Sequence, residues 1–185
     1  MLLAATPLLV FLIALVALDG GRPIFAHTRL GQGGRQFKCL KLRTMRLNAE
    51  EQLKLILASD PVAAAEWAHG AKLTIDPRVT RIGGFLRRSS LDELPQLVNV
   101  LRGEMSLVGP RPVIAEEIPR YGVEAASYFA MRPGLTGAWQ VYGRNDVSYE
   151  GRVTLDVGYA QGCSLLVDVG IVARTALTVL RLTGK

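Results

Sequence analysis

The sequence predicts an α+β fold, mostly helical: a single compact domain with an amino-terminal membrane-inserted, re-entrant helix and interfacial amphipathic helices. Three observations lead there. Met1 to Leu18 carries no charge, and a second apolar-rich stretch runs from Leu165 to Leu182. Between them lies mixed polar sequence without repeats or low-complexity linkers, long enough at 185 residues overall for one core. Hydrophobic residues make up 49 % of the chain and concentrate at its ends, which indicates membrane association rather than full embedding.

As a straight helix, Met1 to Leu18 would reach about 27 Å, short of the ~20 residues a span needs. Pro7 removes a backbone donor, and Thr6 beside it can bond a freed carbonyl. A bent re-entrant helix and a short tilted span both fit. A signal peptide does not, because no positive region precedes the apolar run and no small-residue cleavage site closes it. Residues 1–19 are therefore read as a membrane-associated helix and 20–185 as the folded domain.

Pro23 to Phe25 and Phe37 to Leu42 read as extended segments, with Gly31, Gly33 and Gly34 as the turn between them. Asn48 and Glu51 open a helix to about Ala58. Asp60-Pro61 opens another, with Asp as cap and Pro at the first helical position. Lys72 to Arg81 is loop or short strand. Helices follow at Leu94 to Leu101, near Val123 to Met131, and at Ser148 to Ala160, where Arg152 and Asp156 stand four apart. Arg132 to Asn145, rich in glycine and polar residues, reads as a long functional loop. Ser164 to Leu182 reads as an amphipathic helix with Arg174, Thr178 and Arg181 on one face, suited either to the membrane interface or to the domain core.

The formal charge is +6, and its placement matters more than its size. Arg22, Arg29, Arg35, Lys38, Lys41 and Arg43 fall between Gly20 and Met45 with no acid among them. Such a run beside an apolar helix suits an anionic leaflet or an anionic substrate. Nucleic acid is not indicated: no finger or RNP signature accompanies the basic residues, and aromatics for stacking are few. Cys39 and Cys163 form neither a disulfide framework nor a metal-ligand spacing, and His27 and His69 stand alone.

The chemistry concentrates in Ser90-Leu91-Asp92-Glu93-Leu94-Pro95-Gln96-Leu97, just after Arg78, Arg81, Arg87 and Arg88. One reading is a capping box of Ser90 and Glu93, which needs no function. The other is a carboxylate dyad at a helix start, where the helix dipole favours an anion by ~0.3–1 kcal/mol. An ionised aspartate is a competent nucleophile toward phosphorus. Cations must screen its approach to a diphosphate, and Mg²⁺ binds one or two carboxylates plus phosphate oxygens. Gly109-Pro110-Arg111-Pro112 follows, with Arg111 stiffened between prolines for bidentate phosphate contact, or else a surface arginine in a turn. Arg132-Pro133-Gly134 and Gly143-Arg144-Asn145 add donors, and Trp139 is placed to stack on a base or to anchor its loop.

Together these segments resemble the bacterial sugar transferase family, the monotopic phosphoglycosyl transferases of glycan assembly. The resemblance runs through Gly21-Arg22-Pro23-Ile24-Phe25, Lys41-Leu42-Arg43-Thr44-Met45, Asp76-Pro77-Arg78-Val79-Thr80-Arg81-Ile82-Gly83, Leu86 to Leu97, Asn99-Val100-Leu101, Gly103 to Pro112, Arg132-Pro133-Gly134, Gly143-Arg144-Asn145 and Leu155-Asp156. It implies transfer of a sugar-1-phosphate from a UDP-sugar to polyprenyl (undecaprenyl) phosphate, with release of UMP and a covalent intermediate on Asp92. Glu93 would be the dyad's second member, and the two would hold Mg²⁺. Lys41, Arg43, Arg88, Arg111, Arg132, Arg144 and Asp156 would bind phosphate or substrate. The resemblance implies a catalytic domain on the cytoplasmic face of the bacterial inner membrane, in exopolysaccharide or other glycan synthesis. Gly21 to Met45 and Glu66-Trp67 before Lys72-Leu73 look most like the hexose-phosphate transferases, favouring glucose or galactose. Family members carry a longer, basic arm before the kink than Met1 to Ala5, so residues 1–19 are read as truncated. A non-catalytic membrane adaptor in a polysaccharide-export assembly is the competing expectation.

Overall fold

Helix α1 (Leu2–Ala17) runs through Pro7 without interruption in the computed structural model, which describes residues 2–70, 73–143 and 147–180. Pro7 lies in the second turn, where its missing donor forfeits a single helical bond. Leu12 and Val16 are buried against Leu42 and Leu86, whereas Leu8, Val10 and Phe11 are exposed. The apolar segment thus packs one face on the domain and leaves another uncovered. Among the described residues, no helix is long and apolar enough to cross a membrane.

Strands β1 (Ile24–Leu30) and β2 (Gln36–Leu42) form an antiparallel hairpin, in register from Ile24 opposite Leu42 to Leu30 opposite Gln36. A short turn at Gln32–Gly34 joins them. Phe37, Cys39 and Leu42 face the core, as the period of two requires along most of β2. Helices α2 (Ala49–Ser59) and α3 (Pro61–Gly70) follow. Asp60 Oδ1 accepts the N–H groups of Val62 and Ala63 at 2.9 and 3.1 Å, the expected cap. Asn48, by contrast, makes no side-chain cap bond.

The chain then returns to the end of β2. Val79 bridges Met45, and Thr80 caps α4 (Arg81–Ser89) through the Gly83 N–H at 2.9 Å. A tight turn at Leu91–Glu93 leads into α5 (Gln96–Leu101) and β3 (Ser106–Val108). The expected helix near Val123 to Met131 is α6 (Ala125–Phe129), preceded by a 3₁₀ segment at Ala115–Glu124.

Arg132 to Asn145 departs from the expected loop. It holds β4 (Gly134–Thr136), parallel to β3, and α7 (Ala138–Tyr142). Both are too short to produce a hydrophobic period. Their backbones meet closely: a Cβ on Gly137 would lie 2.1 Å from the Gly109 carbonyl oxygen, and one on Gly134 would lie 2.2 Å from the Gly109 nitrogen. Glycine is required there because no side chain fits between the two segments.

Helix α8 (Tyr149–Gly162) is capped by Ser148, which accepts the Gly151 N–H at 3.1 Å. Helix α9 (Leu165–Leu180) buries Ile171 against Val108, Ala138 and Tyr159, while Leu165, Leu166, Val169 and Leu177 stay exposed. One face of this helix packs on the core, as one of the two expectations had it, and an apolar face remains open. Arg174 stacks on Tyr142 at 5.1 Å, and Arg181 lies outside the described residues.

Candidate active site

Asp92 and Glu93 sit in the Leu91–Glu93 turn between α4 and α5. Ser90 ends α4 in the left-handed conformation, at φ 56°, and its side chain makes no cap bond. The capping box therefore does not form. Among the described residues Ser90 is the only non-glycine with positive φ. Such strain costs roughly 1 kcal/mol and here turns the chain sharply enough to bury the next carboxylate but one.

Asp92 is 9 % exposed. Burial pushes its pKa up from 3.8 to about 6; Lys41 and Arg87 oppose the rise and Glu93 adds to it. Glu93 is better solvated and accepts a hydrogen bond from Lys41 Nζ at 2.6 Å. The dyad is thus split: one carboxylate desolvated and unpaired by any salt bridge among the described residues, the other held by a lysine. The strand that carries Lys41 is held by Asn99, which is fully buried. Asn99 accepts the Leu40 N–H at 3.0 Å and donates to the Lys38 carbonyl at 2.8 Å and to Glu104 at 2.6 Å. One amide side chain so fixes α5, and the dyad preceding it, against β2.

A second cluster surrounds Arg111. Its guanidinium lies 5.1 Å from the centre of the Trp139 ring, and that of Arg152 lies 4.6 Å from the same ring. Trp139 thus anchors the arginines. Asp156 is 2 % exposed and accepts a hydrogen bond from Tyr121 at 2.8 Å, while its Oδ1 is buried without a partner among the described residues. Burial raises its pKa to about 6, against the Tyr121 bond, the Arg111 backbone N–H, and the charges of Arg152 and Arg111. Arg29, bonded to the Pro112 carbonyl and Glu117, adds a further cation; burial, then Arg111, lowers its pKa. The Cys39 thiol, buried with Phe37 and Met105, has its pKa raised by that burial.

The remaining candidates are placed differently. Arg43 donates to the Val16 carbonyl at 3.0 Å and to the Gly20 carbonyl, closing the end of α1. Arg88 is exposed on α4. Arg132 is exposed beside Gly103, beyond the far end of α5 from Asp92, and lines an open groove of about 540 Å³ with Tyr159, Cys163 and Asp168. Arg144 lies outside the described residues. The structure therefore brings together Lys41, Asp92 and Glu93, and separately Arg111 and Asp156. Sequence reasoning missed Asn99, Tyr121 and Arg152 as organisers of these clusters. Asn99 between Val98 and Val100 was one readable signal, and the spacing of Arg152 and Asp156 another.

Among the described residues, no group of three or more His, Cys, Asp or Glu side chains converges as a metal cage. A cation that arrives with a diphosphate needs only one or two carboxylates. Asp92 and Glu93, adjacent in one turn, fit that smaller donor set.

A UDP-galactose-lipid carrier transferase of Erwinia amylovora is 56 % identical over 178 residues, covering 96 % of this chain and 37 % of that protein. An undecaprenyl-phosphate galactose phosphotransferase of Salmonella typhimurium is 49 % identical over 183 residues, covering 99 % and 38 %. A UDP-glucose:undecaprenyl-phosphate glucose-1-phosphate transferase of Caulobacter vibrioides is 40 % identical, covering 94 % and 63 %. The chain thus spans less than two-fifths of the first two relatives. The family model of the bacterial sugar transferases matches residues 1–182, and the chain belongs to that family.

Proposed function

We propose that this chain transfers glucose- or galactose-1-phosphate from a UDP-sugar to undecaprenyl phosphate and releases UMP, as the first membrane step of exopolysaccharide or other glycan assembly. The observation that carries the reading is the split dyad: Asp92 buried with a pKa raised to about 6, beside Glu93 held by Lys41 at 2.6 Å. Above pH 6 such a carboxylate is ionised yet poorly solvated, which suits a nucleophile. The names of the three relatives support the same donor and acceptor classes.

In the first step an Asp92 oxygen bonds the sugar-bearing phosphorus, and the bond from that phosphorus to the UMP oxygen breaks, its electron pair leaving with UMP. In the second step an oxygen of the lipid phosphate bonds the same phosphorus and the Asp92–phosphorus bond breaks, regenerating the carboxylate. Lys41 lowers the negative field at the dyad and keeps Glu93 in place. Arg111 neutralises phosphate charge, with its backbone held beside Asp156 and its guanidinium on Trp139. Mg²⁺, held by Asp92 and Glu93, would supply charge neutralisation on the diphosphate when bound. A covalent intermediate lets a soluble nucleotide and a membrane lipid use one site in turn. The exposed apolar faces of α1 and α9, with the basic run from Arg22 to Arg43, suit the cytoplasmic surface of the inner membrane.

The test is UMP release across a panel of UDP-sugars with undecaprenyl phosphate and Mg²⁺. Turnover is expected with UDP-glucose or UDP-galactose. Asp92→Asn is expected to abolish it while remaining folded, and UDP-sugar alone is expected to leave a sugar-phosphate mass on Asp92. Normal turnover by Asp92→Asn would remove the nucleophile assignment. No Mg²⁺-dependent UMP release from any UDP-sugar would favour the adaptor reading.

A further inference from the structure

Five side chains form a ladder in which arginine and aromatic ring alternate. Arg111 lies 5.1 Å from the centre of the Trp139 ring, and Arg152 lies 4.6 Å from the same ring. Arg152 in turn lies 5.5 Å from the centre of the Tyr149 ring, and Arg120 lies 4.7 Å from that ring. The rungs come from distant parts of the chain: the turn at Arg111, the 3₁₀ segment at Ala115–Glu124, α7 and α8. The steps above use Arg111 alone among these cations, and Arg120, Tyr149 and Arg152 have no part in them.

The ladder carries three cations, and none of them makes a salt bridge to a described residue. Glu117 is engaged by Arg29 at 3.4 Å, and Asp156 by Tyr121 at 2.8 Å. The Nε atoms of Arg111 and Arg152 and the Trp139 Nε1 are buried without a hydrogen-bond partner among the described residues. Stacking occupies the face of a guanidinium and leaves its N–H edge for an acceptor. A row of stacked arginines is thus a set of aimed donors with no acid to match them. Arg120, at the outer end, is exposed, whereas Arg111 and Arg152 are half-buried, so the row leads from the interior to water. Tyr149 packs in the cluster of Val113, Tyr121, Tyr128 and Val153, to which neither α1 nor α9 contributes. The open apolar faces belong to those two helices, so the ladder's outer end suits a soluble phosphate ester better than a lipid one.

We propose that Arg152 and Arg120, stacked on Trp139 and Tyr149, form a subsite for the phosphate of a soluble nucleoside monophosphate, here the UMP that leaves in the first step. The inference rests on the transfer reading above. A UDP-sugar carries two phosphates, and only the sugar-bearing one bonds Asp92. The other gains negative charge as its bond to that phosphorus breaks. Stacked guanidiniums neutralise this charge with donors already in place, and the exposed end of the row gives the nucleotide a way out.

The experiment is equilibrium dialysis of labelled UMP against the full chain at about 0.15 M salt, where general attraction between charges is screened. The KM values for UDP-sugar and for undecaprenyl phosphate are measured alongside by UMP release. Arg152→Gln is expected to weaken UMP binding about 10-fold or more and to raise the UDP-sugar KM, with the undecaprenyl phosphate KM changed less than about 2-fold. Arg152→Lys, which keeps the charge without the fork, should fall between. Arg120→Glu lies at the exposed end, so it should weaken UMP binding about 5-fold while its unfolding midpoint stays in place, and it carries the test where Arg152→Gln melts early. Arg102→Glu, the same change of charge at the exposed end of α5, should stay within about 2-fold. UMP binding within about 2-fold of wild type in both folded ladder variants would overturn the inference. So would a raised KM for undecaprenyl phosphate with that of UDP-sugar unchanged, which would make the lipid phosphate the occupant. UMP binding that depends on Arg152, in a protein that releases no UMP from any UDP-sugar, would uphold the subsite and overturn the proposed reaction.

Discussion

Replacing Asp92 by Asn should make the protein more stable while removing its activity. Burial raises the Asp92 pKa from 3.8 to about 6, so the folded state holds the proton more tightly than the unfolded chain. A shift of about 2 units corresponds to about 3 kcal/mol at roughly 1.4 kcal/mol per unit. The sign follows from linkage. Below about pH 4 the carboxyl is protonated in both states and costs nothing. Between about pH 4 and 6 the unfolded chain ionises first, and above about pH 6 the full cost of burying the charge is felt. Asn is nearly isosteric and carries no charge at any pH. Urea unfolding followed by circular dichroism at pH 7.5 should therefore show Asp92→Asn more stable by up to about 3 kcal/mol, and the gap should narrow to about 1 kcal/mol at about pH 4.5. A difference that is the same at both pH values, or a variant less stable at pH 7.5, would refute the reasoning. The site would then hold its carboxylate by pairing rather than against desolvation.

The wild-type rate of UMP release should show an acid limb near pH 6, and Lys41→Met should move it to higher pH, since the lysine charge holds the Asp92 pKa down; a limb that stays put or moves down counts against the assignment. Tyr121→Phe should raise the Asp156 pKa further and cost about 1–3 kcal/mol, because it removes the phenol hydrogen bond from a buried carboxylate; carboxyl titration by NMR and denaturant unfolding read the two effects. Asn99→Ala strips three hydrogen bonds from the joint between α5 and β2 and should cost about 2–4 kcal/mol in unfolding, with a fall in kcat as Lys41 loses its placement. Gly137→Ala should unfold readily, its Cβ meeting the Gly109 carbonyl at 2.1 Å, whereas Gly158→Ala, on an open face of α8, should gain about 0.5–1 kcal/mol; equal melting of the two would mean the β3–β4 contact is looser than the geometry states.

The helical framework was legible because its signals are local. Asp60-Pro61 and Ser148 announce helix starts through groups that bond within three residues, and they do so in the structure. Asn48 and Ser90 carry the same letters and do not, since a cap depends on the backbone angle at its own position and Ser90 is left-handed. The elements β4 and α7 were missed because three and five residues cannot display a period, and what holds them is contact with Gly109 about 25 residues earlier. Arginine roles were the least legible. Arg43, Arg87, Arg88, Arg111 and Arg132 are alike in sequence, yet one caps a helix, one anchors on Thr44, one faces solvent, one stacks on Trp139 and one lines a distant groove.

By itself the sequence determined the family, the mostly helical class and the Asp92-Glu93 pair, because ordered motifs and capping patterns are written in neighbouring residues. Only the tertiary structure decided that the two carboxylates differ. Of two adjacent residues in one tight turn, Asp92 is buried and loses its water while Glu93 stays better solvated and meets Lys41 from β2. Burial and pairing are relations between distant segments, and no stretch of chain carries them alone.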